Sequence, residues 1–124
     1  MIKLTEQNAG LVFKSLSKQL AKYGNKKTEY LGDIYDSKKE ADFAKQLDLM
    51  KHAKGRDRVL RYYRQIPYKL EVNGQLICTY ILDFLVEYFD GRKEFIDVKG
   101  VRTDVYKIKK KLLKALYNID ILEV

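Results

Sequence analysis

Apolar residues spaced three and four apart predict a helix near the start of the chain, over residues 8–22. A basic stretch containing Gly and Asn follows at 23–27 and is typical of a loop. We therefore expect a helical arm at 1–22, followed by the main domain at 23–124.

A second helix is predicted to begin at Ser37, which can cap it together with Glu40 three residues later, and to end near Gly55. From residue 59 to residue 99 the pattern changes to aromatic and β-branched residues, which favour strands. Two turn signals divide this segment, Asn73-Gly74 and Asp90-Gly91. The pattern predicts a three-stranded antiparallel meander.

The last part of the chain predicts a helix from about Thr103 to Tyr117 and a strand over 119–124. An apolar stripe on this helix is expected to face the sheet: Val105, Ile108, Leu112, Ala115 and Leu116. A helical crossover favours parallel pairing of the last strand. We expect an α/β protein with a mixed sheet, in the order helix, three strands, helix, strand.

Charge and cysteine content narrow the function classes. The 25 Lys and Arg residues outnumber the 17 Asp and Glu residues, and a net charge of +8 favours a polyanionic partner. The single cysteine, Cys78, excludes an internal disulfide and cysteine-based zinc clusters. Without an apolar signal core or a membrane-spanning stretch, the protein is expected in the cytoplasm and not in a membrane.

Three charged residues on the predicted sheet are candidates for catalysis. Asp83 interrupts an apolar strand, where an unpaired carboxylate is costly to bury. Asp97 and Lys99 are two apart on the next strand, so they point to the same face. If the turn between these strands pairs them, Asp83 lies across from the Asp97 to Lys99 region. The alternative is a cross-strand ion-pair network that needs no metal.

Two carboxylates and a lysine suit phosphodiester hydrolysis. Carboxylates are hard oxygen ligands for Mg²⁺ or Mn²⁺, which keep waters and phosphate oxygens in their shell. The lysine adds positive charge beside the metal ion, where it can stabilise the transition state. The sequence therefore predicts a metal-dependent enzyme that acts on a phosphate polymer.

These residues resemble the motif of the PD-(D/E)XK nuclease superfamily, with an acid on the second strand and Asp97-Val98-Lys99 on the third. The chain is also similar, over residues 22–124, to a small phage-encoded branch known as a domain of unknown function. The segments that carry this similarity are 22–30, 36–41 and 97–106. The resemblance implies a restriction-endonuclease-like αβββαβ core with an extra N-terminal helix, and a cytoplasmic, Mg²⁺-dependent DNA endonuclease encoded by a phage in a bacterial host.

The resemblance also implies further site residues. Glu40 would be an additional metal ligand or catalytic acid, although its place in a capping box is a sufficient structural reason for it. Gln65 would contact phosphate or a metal-bound water, with polar surface as the alternative. Four lysines recur at helical spacing and would contact DNA, unless they form only a solvated face: Lys107, Lys110, Lys111 and Lys114.

Two other functions stay open. The first is a non-catalytic DNA-binding module on a nuclease scaffold. The second is an interaction protein that engages a partner through residues 1–21. The nuclease is expected to cut branched DNA, such as a junction, or to nick duplex during phage recombination, repair or replication. Because branch-selective cutting normally needs two opposed active sites, a homodimer is expected.

Overall fold

The computed structural model describes residues 26–98 and 101–124. Two features predicted from the sequence lie outside these residues, namely the N-terminal helix at 8–22 and the catalytic candidate Lys99. No helix in the part that is described is both long enough and apolar enough to cross a membrane.

The described residues divide into two compact units, one over residues 26–46 and the other over residues 47–98 and 101–124. In the first unit, strand β1 (Thr28–Tyr30) pairs antiparallel with strand β2 (Asp33–Tyr35). The turn Leu31-Gly32 joins them with φ angles of 50° and 85°. This hairpin was not predicted, because strands of three residues are too short to show a periodic pattern.

Helix α1 (Lys38–Met50) begins at the predicted cap, since the Glu40 N–H donates to Ser37 Oγ at 3.1 Å. It ends before the predicted Gly55, because the following N–H groups donate to carbonyls three residues back and tighten the last turn. These bonds join His52 to Leu49 and Ala53 to Met50, both at 3.1 Å.

The second unit contains a four-stranded mixed sheet with the order β3-β4-β5-β6. Its strands are β3 (Val59–Val72), β4 (Gln75–Tyr88), β5 (Lys93–Asp97) and β6 (Ile121–Glu123). The first three form an antiparallel meander, and β6 pairs parallel to β5. Both the predicted meander and the predicted parallel crossover are confirmed.

Both predicted turns have the backbone that their residue types allow. Asn73 and Gly74 have φ angles of 51° and 78°, which is the geometry of a type I′ hairpin turn. Gly91 has a φ of 91° between β4 and β5. Glycine and asparagine accept positive φ at low cost, so the residues at these positions favour both turns.

Helix α2 (Asp104–Tyr117) has the predicted bounds and a cap at each end. Thr103 Oγ1 accepts the Tyr106 N–H at 3.1 Å. Asn118 adopts the left-handed conformation with φ 55°, and its N–H donates to the Lys114 carbonyl at 2.9 Å. A polar cap at the start and a left-handed residue at the end satisfy backbone groups that the helix leaves open.

The predicted sheet-facing stripe of α2 is wrong except at Leu112, which packs against the core. Val105 and Ile108 are 61% and 60% exposed, whereas Tyr106 and Leu113 are buried. The Tyr117 hydroxyl, on the same side as these two, donates to the Lys69 carbonyl at 2.6 Å. Counting only aliphatic residues shifts the predicted face, because tyrosines supply much of the contact with the sheet.

The buried core of the second unit lies between α2 and the sheet. One cluster of this core consists of Leu70, Tyr80, Leu82, Tyr106, Leu113, Ile119 and Ile121. Burial of these residues fixes α2 over the sheet and holds β6 beside β5.

Candidate active site

Polar residues form one row across the sheet, with one residue on each strand. The row consists of Gln65, Asp83, Asp97 and Glu123. Gln65 and Asp83 lie between the flanking β3–β4 pairs 64↔84 and 66↔82. One step beyond the last β4–β5 pair, Phe84↔Ile96, the two aspartates lie opposite each other. Asp97 pairs in turn with Glu123 on β6.

Each aspartate carboxylate accepts a hydrogen bond from a backbone N–H of the segment that carries the other aspartate. The Asp83 N–H donates to Asp97 Oδ1 at 3.1 Å, and the Val98 N–H donates to Asp83 Oδ2 at 3.0 Å. Asp97 is fully buried and Asp83 is half-buried. We call these two residues the acid pair. Hydrogen bonds from backbone N–H groups stabilise charged carboxylates, so they reduce the cost of placing two acids side by side.

Gln65 has an unusual backbone for the middle of a strand. Its φ is 53°, in the left-handed region, and its side chain is exposed. For a residue other than glycine this conformation costs about 1–2 kcal/mol, and such strain is concentrated at functional sites. The structure therefore places this sequence-predicted residue opposite Asp83, in a conformation that the sequence did not indicate.

Glu123 is a site residue that the sequence reasoning missed. Its Oε1 lies 2.6 Å from Lys110 Nζ, and its Oε2 lies 2.6 Å from Arg102 Nε. The hydrogen bond from Lys110 and the charges of both cations hold the pKa of Glu123 below its usual range. Parallel pairing of β6 was predicted, but its register was not, and only the register places Glu123 beside Asp97.

Tyr106 is a buried residue of α2 whose phenol is close enough to Asp97 and Glu123 to feel their charges. Its ring centroid is 6.3 Å from that of Tyr80. Burial, the charge of Asp97 and then that of Glu123 raise the pKa of the Tyr106 phenol, so the phenol stays protonated at neutral pH.

A cavity of about 560 Å³ lies beside Glu123, between α2 and β6. Five cationic residues line it: Arg102, Lys107, Lys110, Lys111 and Lys114. Two acids, Asp120 and Glu123, and the side chains of Ile119 and Ile121 complete much of the wall. We call this feature the basic cavity. All four predicted DNA-contacting lysines line it, and Arg102 joins them.

The described residues do not test the predicted roles of two candidates. Glu40 is buried in the first turn of α1 and belongs to the first compact unit, whereas the acid pair belongs to the second. Lys99 lies outside the described residues. Their predicted roles therefore stay predictions. Within residues 26–98 and 101–124, no group of three or more His, Cys, Asp or Glu residues is arranged to hold a metal ion.

Comparison with known proteins gives one match. No curated protein and no solved structure matches the sequence significantly. Residues 20–122 match a family described as a protein of unknown function, DUF1064. Because this match covers most of the 124 residues, the chain belongs to the DUF1064 family.

Proposed function

We propose that this protein is a Mg²⁺- or Mn²⁺-dependent DNA endonuclease with a PD-(D/E)XK site formed by Asp83, Asp97 and Lys99. The observation that carries the proposal is the acid pair, in which each carboxylate accepts a backbone N–H from the neighbouring strand at 3.0–3.1 Å. The order helix, three strands, helix, strand supports the same superfamily.

The donor set of the acid pair suits a magnesium ion. Mg²⁺ is usually held by one or two carboxylates, and it keeps waters and substrate phosphates as its other ligands. Asp83 and Asp97 would hold the ion, and Glu40 is a candidate for a further acid ligand. When bound, the ion supplies Lewis-acid chemistry by polarising the phosphate and lowering the pKa of a water.

The remaining residues have roles that follow from their charge and position. Lys99, two residues after Asp97, would stabilise the negative charge that develops on the phosphate. Gln65, opposite Asp83, would orient the phosphate or the attacking water through its amide. Lysines of the basic cavity would bind the DNA backbone. We further propose a homodimer in the cytoplasm of a phage host, acting on branched or nicked DNA in recombination or replication.

A non-catalytic DNA-binding module is the second candidate, and the basic cavity favours it. Five cations line this cavity, and they would form a site for phosphate whether or not the acid pair binds metal. The two functions differ in one result, because the module would bind DNA with a strong salt dependence and cut none.

The test is cleavage of labelled plasmid, linear duplex, single-stranded and four-way-junction DNA with Mg²⁺, Mn²⁺ or EDTA. We expect metal-dependent cutting by the native protein and a loss of about a thousandfold or more in Asp97→Ala and Lys99→Ala, as the removal of a main transition-state contact predicts. Glu71→Ala is the matched control, since Glu71 is an exposed acid outside both the row and the basic cavity.

Binding of DNA without cutting under every metal condition would refute the enzyme and support the binding module. Equal loss of cutting in the Glu71→Ala control would show that the effect does not come from the acid pair. Thermal unfolding of each variant separates loss of chemistry from loss of the fold.

A further inference from the structure

The basic cavity carries more positive charge than its own acids neutralise. Five cations face two carboxylates, which leaves an excess of three positive charges. Lys110 and Arg102 share Glu123, and Lys114 lies 2.8 Å from Asp120. Among the described residues, Lys107 and Lys111 have no ion-pair partner.

Lys107 and Lys111 are suited to hold one anion together. They are four residues apart on α2, so they project from the same side of successive turns. Both are exposed, so a ligand reaches them without displacing packed side chains. Two ammonium groups at this spacing suit the oxygens of one phosphate group.

The cavity also has an apolar part. Ile119 and Ile121 line it together with the ring of Tyr106, beside the cations. The cations alone would bind a simple anion. The apolar side chains add a surface against which the carbon atoms of a nucleotide sugar can pack. A concave site with both features fits a nucleotide phosphate better than it fits a free inorganic ion.

Glu123 connects the basic cavity with the acid pair. It is the register partner of Asp97, and neighbouring strands lie about 4.8 Å apart. The same carboxylate contacts Lys110 and Arg102, which line the cavity. A DNA strand advances about 3.4 Å along its axis for each nucleotide, so the wall of the cavity at Glu123 lies about one or two nucleotides from the acid pair.

We propose that the basic cavity binds a phosphate of the cleaved DNA strand, one or two nucleotides from the phosphate at the acid pair, through Lys107 and Lys111. The proposal rests on the nuclease function for the identity of the second phosphate. A bound neighbouring phosphate would set the position of the DNA strand relative to the acids, which is a role in positioning the substrate.

The experiment measures binding of the full chain to single-stranded oligonucleotides in EDTA, where no cutting occurs. Each oligonucleotide carries one uncharged methylphosphonate in place of one phosphate, at successive positions. Wild type is compared with Lys107→Ala/Lys111→Ala and with Lys54→Ala, an exposed lysine in the loop between α1 and β3. Cleavage with Mg²⁺ then locates the cut relative to each position.

We expect the double variant to lower the slope of log affinity against log salt by about 0.7 for each lysine, with no change in Lys54→Ala. One methylphosphonate position should weaken wild-type binding and leave the double variant unaffected, as a double-mutant cycle requires for groups in contact. That position should lie one or two nucleotides from the cut.

An unchanged salt slope, or coupling at a position farther from the cut, would overturn the inference. Cleavage by wild type without coupling would refute the cavity while leaving the nuclease intact. Coupling without cleavage of any of the four kinds of DNA tested above, under every metal condition, would support the cavity as a phosphate site and refute the proposed nuclease.

Discussion

The acid pair lies on β4 and β5, and the basic cavity lies next to it between α2 and β6, but the two sites are held in different ways. Asp83 and Asp97 are short side chains bound to backbone N–H groups, and Asp97 is fully buried. In the cavity, long charged side chains contact each other, and those of Lys110 and Arg102 are 38% and 63% exposed.

This difference matches what each site has to do. A backbone anchor fixes a carboxylate within a narrow range of positions, which a metal ion and an attacking water require. Exposed lysines and arginines keep their rotational freedom, so they can follow a polyanion of variable conformation. The molecule thus combines a rigid site for chemistry with an adaptable site for binding.

The largest expected effect concerns the rigid site, where magnesium should stabilise the protein through the acid pair. With 10 mM Mg²⁺ and a dissociation constant of about 1 mM, linkage gives about 1.4 kcal/mol and raises the melting temperature by a few degrees. Asp97→Asn should lose this gain and the exposed control Asp120→Asn should keep it, as measured by thermal unfolding with and without EDTA. An equal response in both variants would contradict a metal site at the acid pair.

A smaller effect is expected in the adaptable site. Glu123→Gln removes the carboxylate that Lys110 and Arg102 share, so both become available to phosphate. We expect DNA affinity in EDTA to rise by about threefold to tenfold, which is the effect of about one additional phosphate contact. Fluorescence anisotropy at several salt concentrations measures this, and weaker binding would show that Glu123 positions the cations for DNA.

The smallest expected effect is a pH dependence of stability. It should distinguish the partly buried ion pairs of Glu123 from the exposed pair of Asp120 with Lys114. The folded-state pKa of Glu123 is lowered, so its ion pairs stabilise the fold above the unfolded value of about 4.3 and lose this contribution as pH falls. Glu123→Gln should cost about 1 kcal/mol of unfolding free energy at pH 7 and almost nothing near pH 3. Chemical denaturation across this range measures it.

The matched variant for this comparison is Asp120→Asn. The side chains of Asp120 and its partner Lys114 are 82% and 49% exposed. Solvent screens such a pair, so the change should stay within about 0.5 kcal/mol at every pH. A larger loss in Asp120→Asn than in Glu123→Gln would contradict the ranking by burial.

Much of the fold could be predicted because its signals are local. Asn73-Gly74 reverses the chain with two residues that accept positive φ. Ser37 and Thr103 start the two helices through side-chain caps. The meeting of Asp83 with Asp97 was also predictable, since a short turn joins their strands and limits the registers they can adopt.

Other features depend on contacts that the local pattern does not contain. Glu123 reaches Asp97 through a long crossover, and its register depends on the packing of α2. The orientation of α2 depends on tyrosines that a count of aliphatic residues leaves out. The positive φ of Gln65 contradicts the preference of its residue type, so no local signal indicates it.

The long β3–β4 hairpin also suggests an order of assembly during folding. Its strands pair from Val72↔Gln75 to Val59↔Tyr88 around a two-residue turn, so this contact needs little loop closure. The β4–β5 pairs are also local, from Glu87↔Lys93 to Phe84↔Ile96, whereas β6 joins β5 across 26 residues at every pair. We expect the hairpin to form first and the row of polar residues to be complete only when the C-terminal strand docks, so that the protein acquires its site at the end of folding.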